Sequence, residues 1–542
     1  MHEIKIDNRC ASMTNHSHGW NKHKVQVKLG LLPWGRIIFA LIAIALQFGI
    51  VLFAVLKVSR AVPYIYLIFG AISLVCSILV WTSEINYAYK ATWIITILLF
   101  PLFGGLLFVI STLQKAGTLN FSKYTDTANQ IKKQLFKTCA SDKEFKSLQG
   151  SYLRQMNHIQ NTTFYPAYSD TSTLYYPSGE VFFKDLIADL RNAKEFIFME
   201  FFIISDGELW RLVYDILIEK AAAGVEIRLM YDEIGSMWKL PKQDLTALQE
   251  ANIKIHVFNP IKLLILPSFL FNWRDHRKMI VIDGDVCYTG GSNLADEYVN
   301  IIERFGHWKD AGLRLHGSAT WSFTVMFLTL WNYLDQQLTS SIEEYYSYRP
   351  RLDATTKNEQ HGILIPYDDV PDDGVEIAAN VYRNIINRAN HSIYIMTPYL
   401  VMDETMNQAL YTAAESGVDV KIITPHHPDK PYVHAVTRSY YKQLIQHGIE
   451  IYEYKPGFIH SKVILVDGIA AVVGTVNFDY RSLYLHLECA VWMYDTECIT
   501  AIKRDFEDTL PICLPITKTI CEQWSIWKRA GQWFLRLFAP LM

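Results

Sequence analysis

The sequence predicts an α/β protein in which two similar domains with mostly parallel sheets pack as a pseudo-dimer, preceded by an N-terminal transmembrane helical region. Three observations give this prediction. A polar motif occurs twice, strand-like and helix-like segments alternate in the same order before each copy, and three long apolar segments lie within the first 112 residues. At 542 residues the chain also exceeds the size of one ordinary domain.

The repeated motif is H-x-K-x4-D-x6-G-x2-N. Its first copy begins with HRKMIVIDG at 276–284, and its second begins 184 positions later with HSKVILVDG at 460–468. Three polar residues at one spacing are a weak signal, but a second copy with the same tail indicates an internal repeat. The motif residues are His276, Lys278, Asp283, Gly290 and Asn293 in the first copy, and His460, Lys462, Asp467, Gly474 and Asn477 in the second.

Strand-like and helix-like segments precede each motif in matching order. The predicted strands of the first half are 195–204, 225–232 and 253–258, with helix-like runs that end at Ala193 and Gly224. The predicted strands of the second half are 392–396, 418–424 and 449–454, with helix-like runs that end at Ala389 and Gly417. Strands that alternate with helices are typical of βαβ units and a mostly parallel sheet, so we expect two copies of one α/β domain.

Four parts are therefore expected along the chain. They are a membrane region at 1–112, a first domain at 113–350, a second domain at 351–515 and an amphipathic tail at 516–542, with the polar stretch 348–360 at the boundary between the domains. The tail combines bulky aromatic residues with Lys528, Arg529 and Arg536, a composition typical of a helix that lies in the lipid interface. A helix docked on the protein is the alternative.

Three segments of about 20 residues, 37–56, 61–81 and 91–110, carry almost no strongly polar side chain, and this length spans a hydrocarbon core. Two spans with one interfacial segment are the alternative. The positive charges before the first segment place the N-terminus in the cytoplasm. Three spans would then put the large C-terminal part outside, whereas five lysines between 115 and 137 favour a cytoplasmic location for it. The topology stays open.

Two further apolar segments lie in the predicted domains. Residues 319–334 are too short to span a membrane comfortably, so we expect a buried helix there. Residues 261–271, IKLLILPSFLF, come just before the first motif. They are interpreted either as an acyl-chain channel or membrane-contact lip, or as a plain core element, which is slightly favoured.

Composition excludes several classes of function. A net charge of −3 argues against a general nucleic-acid binder, which carries a strong basic excess. The eight cysteines are scattered without a C-x-x-C pair, which fits neither a disulfide framework nor a zinc site. The chain has neither an H-E-x-x-H motif nor a glycine-rich phosphate loop, so no metal or cofactor is expected.

The motif residues suit the chemistry of a phosphate ester. Side chains two apart in a strand share a face, so each histidine points the same way as its lysine. Two lysines and the amides of Asn293 and Asn477 can hold a tetrahedral phosphate. One histidine can attack phosphorus to form a phospho-histidine, while the other protonates the leaving alcohol and then deprotonates the incoming one.

Each histidine also needs a carboxylate on its far nitrogen to fix its tautomer. Candidates outside the motif are Glu488, which we favour, and Asp310. Asp283 and Asp467 are counted with the catalytic motif residues, although their place near a strand end indicates an orienting or structural role.

Paired motifs of this kind resemble the phospholipase D superfamily, and the whole chain is similar to the bacterial cardiolipin synthases. The similarity rests on ILLFPLFGG, NWRDHRKMIVIDG, GGSNLADEY, FGHWKD, TRSYYKQLIQHGIEIYEY and FDYRSLYLHLE. It implies a multi-pass protein of the bacterial inner membrane that joins two phosphatidylglycerols into cardiolipin and glycerol, with membrane lipid as its partner. His276 and His460 would be nucleophile and general acid/base in an order that the sequence leaves open, as it leaves the oligomeric state.

Three features depart from the family pattern. Gly291 stands where the superfamily often has serine, whereas the second copy has Thr475. His486 stands where many relatives have asparagine. The third departure is a span beyond the two that relatives often have. The alternative functions are a phospholipase D or a phosphatidyltransferase with another acceptor alcohol, a superfamily nuclease, and a catalytically inactive membrane scaffold.

Overall fold

The computed structural model describes residues 62–83, 86–100, 121–137, 150–260, 273–336, 342–350, 362–371 and 374–541, together with positions 49, 104–106 and 108–109. The chain divides into two compact units. The described helices up to residue 109 belong to the first unit, and the described residues from 121 onward belong to the second.

The first unit contains helices α1 (Val62–Thr82) and α2 (Tyr87–Leu99). They share a small core of Cys76, Val80 and Ile97. The predicted span 37–56 lies outside the described residues, α1 coincides with 61–81, and α2 covers the start of 91–110. Within the part of the chain that the structure describes, no helix combines the length and apolar character needed to cross a bilayer. The membrane region therefore stays a prediction.

The first half of the second unit is built around a seven-stranded sheet. Its strands are β1 (Thr171–Tyr176), β2 (Phe196–Phe201), β3 (Glu226–Asp232), β4 (Lys254–Phe258), β6 (Met279–Ile282), β7 (Val286–Gly290) and β9 (Gly312–Gly317), and the short strands β5 (Arg274–Asp275) and β8 (His307–Lys309) lie beside it. Its helices are α3 (Phe121–Leu135), α4 (Gly150–Thr163), α5 (Gly179–Asn192), α6 (Glu208–Ala222), α7 (Glu233–Ser236), α8 (Lys242–Glu250), α9 (Thr320–Leu334) and α10 (Ile342–Tyr346).

The second half repeats this arrangement. Its strands are β10 (Ile363–Asp369), β11 (Ser392–Met396), β12 (Leu400–Val401), β13 (Asp419–Pro425), β14 (Glu450–Tyr454), β15 (Gly457–Ile459), β16 (Val463–Val466), β17 (Ala470–Gly474), β18 (Phe478–Asp479), β19 (His486–Tyr494) and β20 (Cys513–Ile516). Its helices are α11 (Ile377–Ile386), α12 (Glu404–Glu415), α13 (Pro431–Gln446), α14 (Tyr480–Tyr484), α15 (Ile499–Thr509), α16 (Lys518–Gln523) and α17 (Ile526–Arg536).

The strand orders of the two sheets correspond. The first sheet runs β1-β9-β7-β6-β2-β3-β4, and the second runs β10-β19-β17-β16-β11-β13-β14-β20. Among these strands only β2-β3-β4 and β11-β13-β14 pair in parallel. The prediction of mostly parallel sheets is therefore wrong, and both sheets are mixed. Helical crossovers join the parallel strands, whereas the tight turns that follow β6 and β16 pair these strands with β7 and β17 in antiparallel orientation.

The predicted strands before each motif are all present as β2, β3, β4 and β11, β13, β14. The buried helix expected at 319–334 is confirmed as α9, which is buried along nearly its whole length. Cys287 and Cys489 are buried core residues. The apolar segment 261–271 and most of the predicted domain boundary lie outside the described residues.

The two halves exchange strands at their interface. The strand before the first motif, β5, pairs in parallel with the start of β19 from the second half. Reciprocally, the strand before the second motif, β15, pairs in parallel with β8 from the first half. The start of each motif is thus held by backbone from the opposite half, which fixes the position of one motif relative to the other.

Candidate active site

The two motif histidines lie where these exchanged strands end. The backbone N–H of His276 donates to the carbonyl of Leu487 at 2.9 Å, and that of His460 donates to the carbonyl of Lys309 at 2.6 Å. The two connections are equivalent, because Leu487 faces Asp275 in one strand pair and Lys309 faces Ile459 in the other. The backbone of each motif histidine is therefore held by a hydrogen bond to the other half.

Each histidine is also oriented by a carboxylate of the opposite half. Nδ1 of His276 lies 2.9 and 3.0 Å from the two carboxylate oxygens of Glu488, and Nδ1 of His460 lies 2.7 Å from Oδ2 of Asp310. Both carboxylates are fully buried. These hydrogen bonds leave Nε2 as the ring nitrogen available for chemistry. The sequence favoured Glu488, whereas the structure places Asp310 in the equivalent position.

The two lysines lie behind the histidines. Nζ of Lys278 donates to the carbonyl of His276 at 2.6 Å, and Nζ of Lys462 donates to the carbonyl of His460. Both lysines are almost fully buried. Because each ammonium uses only one of its three hydrogens in this bond, it retains donors for an anion between the halves.

Burial, reinforced by the neighbouring ammonium groups, lowers the pKa of both histidines. The pKa of His276 falls well below its ordinary value and that of His460 falls to about 4. Burial also lowers the pKa of Lys278 to about 8 and that of Lys462 to about 7. In the free protein both imidazoles are therefore uncharged near neutral pH, the state that a nucleophile requires, while the lysines are close to titration.

The two carboxylates differ in ionisation. Burial would raise the pKa of Asp310, but its interactions with His460 and Lys462 and the backbone hydrogen bond from Ala311 outweigh burial and hold the pKa below its ordinary value. Burial raises the pKa of Glu488 to about 8, although Lys278 opposes the rise. The half-sites are therefore alike in geometry and unlike in charge.

The motif asparagines flank the same region. The side-chain oxygen of Asn293 accepts from the N–H of Ile203 at 3.0 Å, and its amide donates to the hydroxyl of Tyr298 at 2.7 Å. The side-chain oxygen of Asn477 is buried and has no hydrogen-bond partner. Each asparagine keeps unused hydrogen-bonding capacity, so their predicted contact with the phosphate stays a prediction.

Asp283 and Asp467 take a structural role. They follow β6 and β16, at the opposite end of each strand from the histidine. Asp283 accepts three hydrogen bonds, from the backbone N–H groups of residues 194–196, and Asp467 accepts from those of residues 390–392. These contacts join a helix-to-strand loop to the motif strand and support the orienting or structural role that their place near the strand end indicates.

The Asp-Gly pair also forms the turn that follows each motif strand. Asp283 and Gly284, like Asp467 and Gly468, have positive φ values. Two consecutive residues of this kind are what a tight hairpin turn of the right twist requires, and Asp-Gly is a preferred sequence for it. The turn sets the antiparallel partner strand that carries the motif glycine.

Gly291 lies against the carboxylate of Asp310. A β-carbon at this position would overlap Oδ1 of Asp310. In the second half Thr475 occupies the corresponding position, and its hydroxyl donates to Glu488. The two copies therefore differ in a coordinated way: Gly291 leaves room for the carboxylate of Asp310, whereas Thr475 hydrogen-bonds to the longer side chain of Glu488.

The surroundings of the two histidines differ. His460 lies among the rings of Tyr298, Trp308 and Phe458, with centroid distances of 5.5, 5.1 and 5.8 Å. His276 lies beside Phe202 at 5.2 Å and His486 at 5.5 Å. The sequence did not assign Phe202, Tyr298, Trp308 or Phe458 to the site.

One group of potential metal ligands occurs among the described residues. Ligand atoms of His276, His486 and Glu488 lie within 4.8 Å of one another. A cation there would compete with the hydrogen bond between His276 and Glu488. Two members of the group, His276 and Glu488, are the hydrogen-bonded pair of the first half-site.

Comparison with known proteins identifies the family of the sequence. The sequence family described as cardiolipin synthase, PLD-like domain, matches residues 186–303 and 382–510. The chain is 40% identical over 467 residues to an uncharacterised protein of Streptococcus mutans serotype c, covering 85% of this chain and 98% of that protein. It is 33% identical over 461 residues to a cardiolipin synthase of Geobacillus sp., covering 84% of this chain and 89% of that protein.

A solved structure shares the fold. The crystal structure of phosphatidylserine synthase from Haemophilus influenzae Rd KW20 matches with a TM-score of 0.53 and 15% identity, covering 72% of this chain and 98% of that chain. At this identity the match concerns the fold alone. The PLD-like domain of the sequence family matches one segment in each half of the chain. Since the cardiolipin synthase of Geobacillus sp. is 33% identical over most of both chains, this chain belongs to the cardiolipin synthase family.

Proposed function

We propose that the protein is a phosphatidyltransferase that converts two phosphatidylglycerol molecules into cardiolipin and glycerol. The observation that carries the proposal is the pair of buried histidines, each hydrogen-bonded at Nδ1 to a carboxylate of the opposite half, with a buried lysine beside each one. This arrangement supports two-step displacement at phosphorus, in which one imidazole attacks and the other moves a proton.

In the first step, Nε2 of one histidine forms a bond to the phosphorus of a phosphatidylglycerol. The bond between phosphorus and the glycerol oxygen breaks. The other histidine, which becomes protonated on Nε2 when the anionic phosphodiester binds beside it, gives this proton to that oxygen. In the second step, a hydroxyl of a second phosphatidylglycerol gives its proton to the same histidine and attacks phosphorus. The bond between phosphorus and nitrogen breaks, so cardiolipin forms and the enzyme is restored.

The lysines supply the electrostatic part of the reaction. Burial lowers the pKa values of Lys278 and Lys462. An anionic phosphodiester bound between the two lysines therefore stabilises their ammonium forms. Charge that develops on the phosphoryl oxygens in the transition state strengthens this interaction further. No metal ion is needed to neutralise the phosphate in this scheme.

The test uses the purified full-length protein in vesicles of phosphatidylglycerol. Cardiolipin and free glycerol in equal amounts are expected by mass spectrometry. The double variant His276→Ala, His460→Ala should form neither, while it binds to the vesicles as the wild type does. Phosphatidic acid as the main wild-type product would instead favour a phospholipase D, and equal cardiolipin from the double variant would favour an inactive scaffold.

We further propose that the protein works at a bacterial inner membrane, as a multi-pass protein. Helix α1 exposes a series of large apolar side chains, among them Leu67, Leu74 and Trp81. Helix α17 places Arg536 over the ring of Tyr440 in α13 while it exposes Trp527 and Trp533 to the outside. Aromatic residues with nearby cations are typical of a lipid interface.

Membrane extraction tests this location. The full-length protein should sediment with membranes and remain there after washing at alkaline pH with carbonate, because spanning helices resist this treatment. Release into the supernatant would contradict the multi-pass proposal. A variant with serine at positions 527 and 533 should remain in the membrane under the same wash, since the tail adds an interfacial contact to anchorage by the N-terminal region.

A further inference from the structure

His486 is a buried histidine at the site that the reaction scheme does not use. It begins β19, and its side chain shares a face with that of Glu488 two residues later. Its ring centroid lies 5.5 Å from that of His276. Neither ring nitrogen has a hydrogen-bond partner, and the nearest carboxylate oxygen, Oε1 of Glu488, is 3.8 Å from Nδ1. A buried polar group without a partner is costly, which indicates that a ligand supplies one.

The surroundings of His486 keep its ring neutral. Burial lowers its pKa well below the ordinary value, and the positive charges of Arg481 and Arg274 act in the same direction. A neutral imidazole offers one N–H donor and one nitrogen acceptor. This pair is complementary to a hydroxyl group, which also donates once and accepts.

The equivalent position in the other half has a different character. Strand register places Gly312 opposite Gly290 in one sheet and Ala490 opposite Gly474 in the other, so Trp308 corresponds to His486. Indole offers a donor and no acceptor, and Trp308 packs among Tyr298, Phe458 and His460. Only the His276 side of the site therefore offers both a donor and an acceptor from a side chain at this position.

We propose that His486 forms a hydroxyl-binding subsite beside His276 that takes the glycerol headgroup of phosphatidylglycerol. The inference rests on the proposed function. In both the glycerol that leaves and the glycerol that attacks, the carbon adjacent to the one that bears the reacting oxygen carries a second hydroxyl. His486 binds this second hydroxyl while the reacting oxygen lies between the motif histidines. The subsite thereby favours a glycerol acceptor over water.

The test follows the fate of the phosphatidyl-enzyme. Wild-type protein and His486→Leu are given phosphatidylglycerol vesicles, and the ratio of cardiolipin to phosphatidic acid is measured. We expect the ratio to fall about tenfold in the leucine variant, the effect of losing roughly one hydrogen bond. Water needs no second hydroxyl, so hydrolysis continues and the ratio reports the acceptor step alone.

Two added acceptors identify the group that is recognised. Deuterated glycerol, which exchanges into the phosphatidylglycerol headgroup, should show a raised apparent KM in His486→Leu. Ethanol has no second hydroxyl, so its transfer relative to hydrolysis should be unchanged. A parallel loss for free glycerol and for cardiolipin formation would support recognition of the headgroup itself, whereas loss of cardiolipin alone would overturn it.

Further variants separate binding from folding. His486→Gln retains a donor and an acceptor and should recover most of the wild-type ratio, and His486→Phe provides a second apolar variant if leucine disturbs folding. His256→Leu is a matched control, because His256 packs on Trp331 and lies 3.2 Å from Asp335. A wild-type ratio and glycerol KM in both apolar variants would overturn the subsite. Wild-type protein that makes no cardiolipin would instead overturn the proposed function.

Discussion

Glu488 reaches from the second half of the chain to the first histidine, and both of its oxygens lie within 3.0 Å of Nδ1 of His276. Asp310 makes the reciprocal contact to His460 with one oxygen at 2.7 Å, while its other oxygen accepts the backbone N–H of Ala311 at 2.8 Å. The site is therefore complete only when both halves are folded against each other, and removing either carboxylate should affect catalysis.

The two carboxylates should respond differently to neutral replacement. Asp310 is held in its ionised form, so Asp310→Asn removes a charge that orients His460, and kcat should fall by about 10³–10⁴-fold. Glu488 has a pKa raised to about 8, so glutamine resembles its protonated form and Glu488→Gln should cost about 10–100-fold.

Steady-state kinetics on phosphatidylglycerol vesicles checks this order, with thermal unfolding midpoints to show that both variants fold. Asp505→Asn offers a comparison at a buried aspartate that pairs with Lys309 and does not contact either motif histidine. Equal losses in the two carboxylate variants would show that their charge difference has no part in catalysis.

A single carbon atom at Gly291 should displace Asp310. Because a β-carbon there overlaps Oδ1 of Asp310, Gly291→Ala must move the carboxylate away from His460. We expect kcat to fall toward the value of Asp310→Asn. The double variant Gly291→Ala, Asp310→Asn should have a kcat little lower than that of either single variant, because both substitutions act on the same contact between Asp310 and His460. Gly531→Ala is the matched control, because open space surrounds that position. Additive losses in the double variant would contradict the shared mechanism.

Much of this arrangement could be predicted from the sequence because it is local. The spacing in H-x-K places the histidine and lysine on one face of the strand, and the Asp-Gly pair indicates its turn. The carboxylate partners depend on strand pairing across more than 140 positions, which the motif spacing does not encode. The local pattern alone therefore does not reveal that Glu488 and Asp310 occupy equivalent positions.

Two other features required the register of the strands. Sheets expected to be mostly parallel are mixed, because a βαβ pattern describes only the strands before each motif. The correspondence of Trp308 with His486 was missed because their separation is 178 positions, whereas the motifs are 184 apart. Aligning the halves with a six-residue shift after the motif asparagine would have revealed it.

The alkaline limb of the pH profile should report the lysines. In the free enzyme Lys462 has a pKa of about 7 and Lys278 of about 8, so both lose charge as pH rises from 6 to 9. Because the ammonium forms bind the phosphodiester, kcat/KM should fall with rising pH over this range. Because the pKa of His460 is about 4, titration of this histidine in the free enzyme should not lower kcat/KM between pH 7 and 5.

Initial rates at constant ionic strength and low substrate measure this profile. Lys462→Arg keeps its charge at every pH tested, so its alkaline limb should begin at higher pH even if its overall rate is lower. A kcat/KM that stays constant from pH 6 to 9 in the wild type would contradict the titration of these lysines.

The residue between the histidine and lysine of the first motif should matter for stability. Arg277 is fully buried, and its Nε donates to Glu200 at 2.6 Å and to Asp275 at 3.3 Å. Arg277→Met leaves Glu200 buried without its cation, which should reduce the free energy of unfolding by about 3–5 kcal/mol. The corresponding position of the second motif is the fully buried Ser461. The requirement for a buried cation between the histidine and the lysine therefore applies to the first motif alone.

Denaturation of the full-length protein in detergent measures the loss. Adding Glu200→Gln to Arg277→Met should recover part of it, because the uncompensated carboxylate is then absent. Arg504→Met is the control, since Arg504 forms an exposed pair with Asp508. An Arg277→Met variant as stable as Arg504→Met would mean that Glu200 takes up a proton without cost to the fold.

The two histidines should prove distinct in a trapping experiment. Although their positions are equivalent by pseudo-symmetry, their carboxylates and ring neighbours differ, so one arrangement should favour attack on phosphorus and the other proton transfer. His276→Ala and His460→Ala are each mixed with radiolabelled phosphatidylglycerol, quenched, and examined for acid-labile covalent lipid. The variant that lacks the nucleophile should carry none. The variant that lacks the general acid/base should accumulate the intermediate, because it cannot activate the second alcohol. Covalent lipid in both variants would show that the histidines exchange roles.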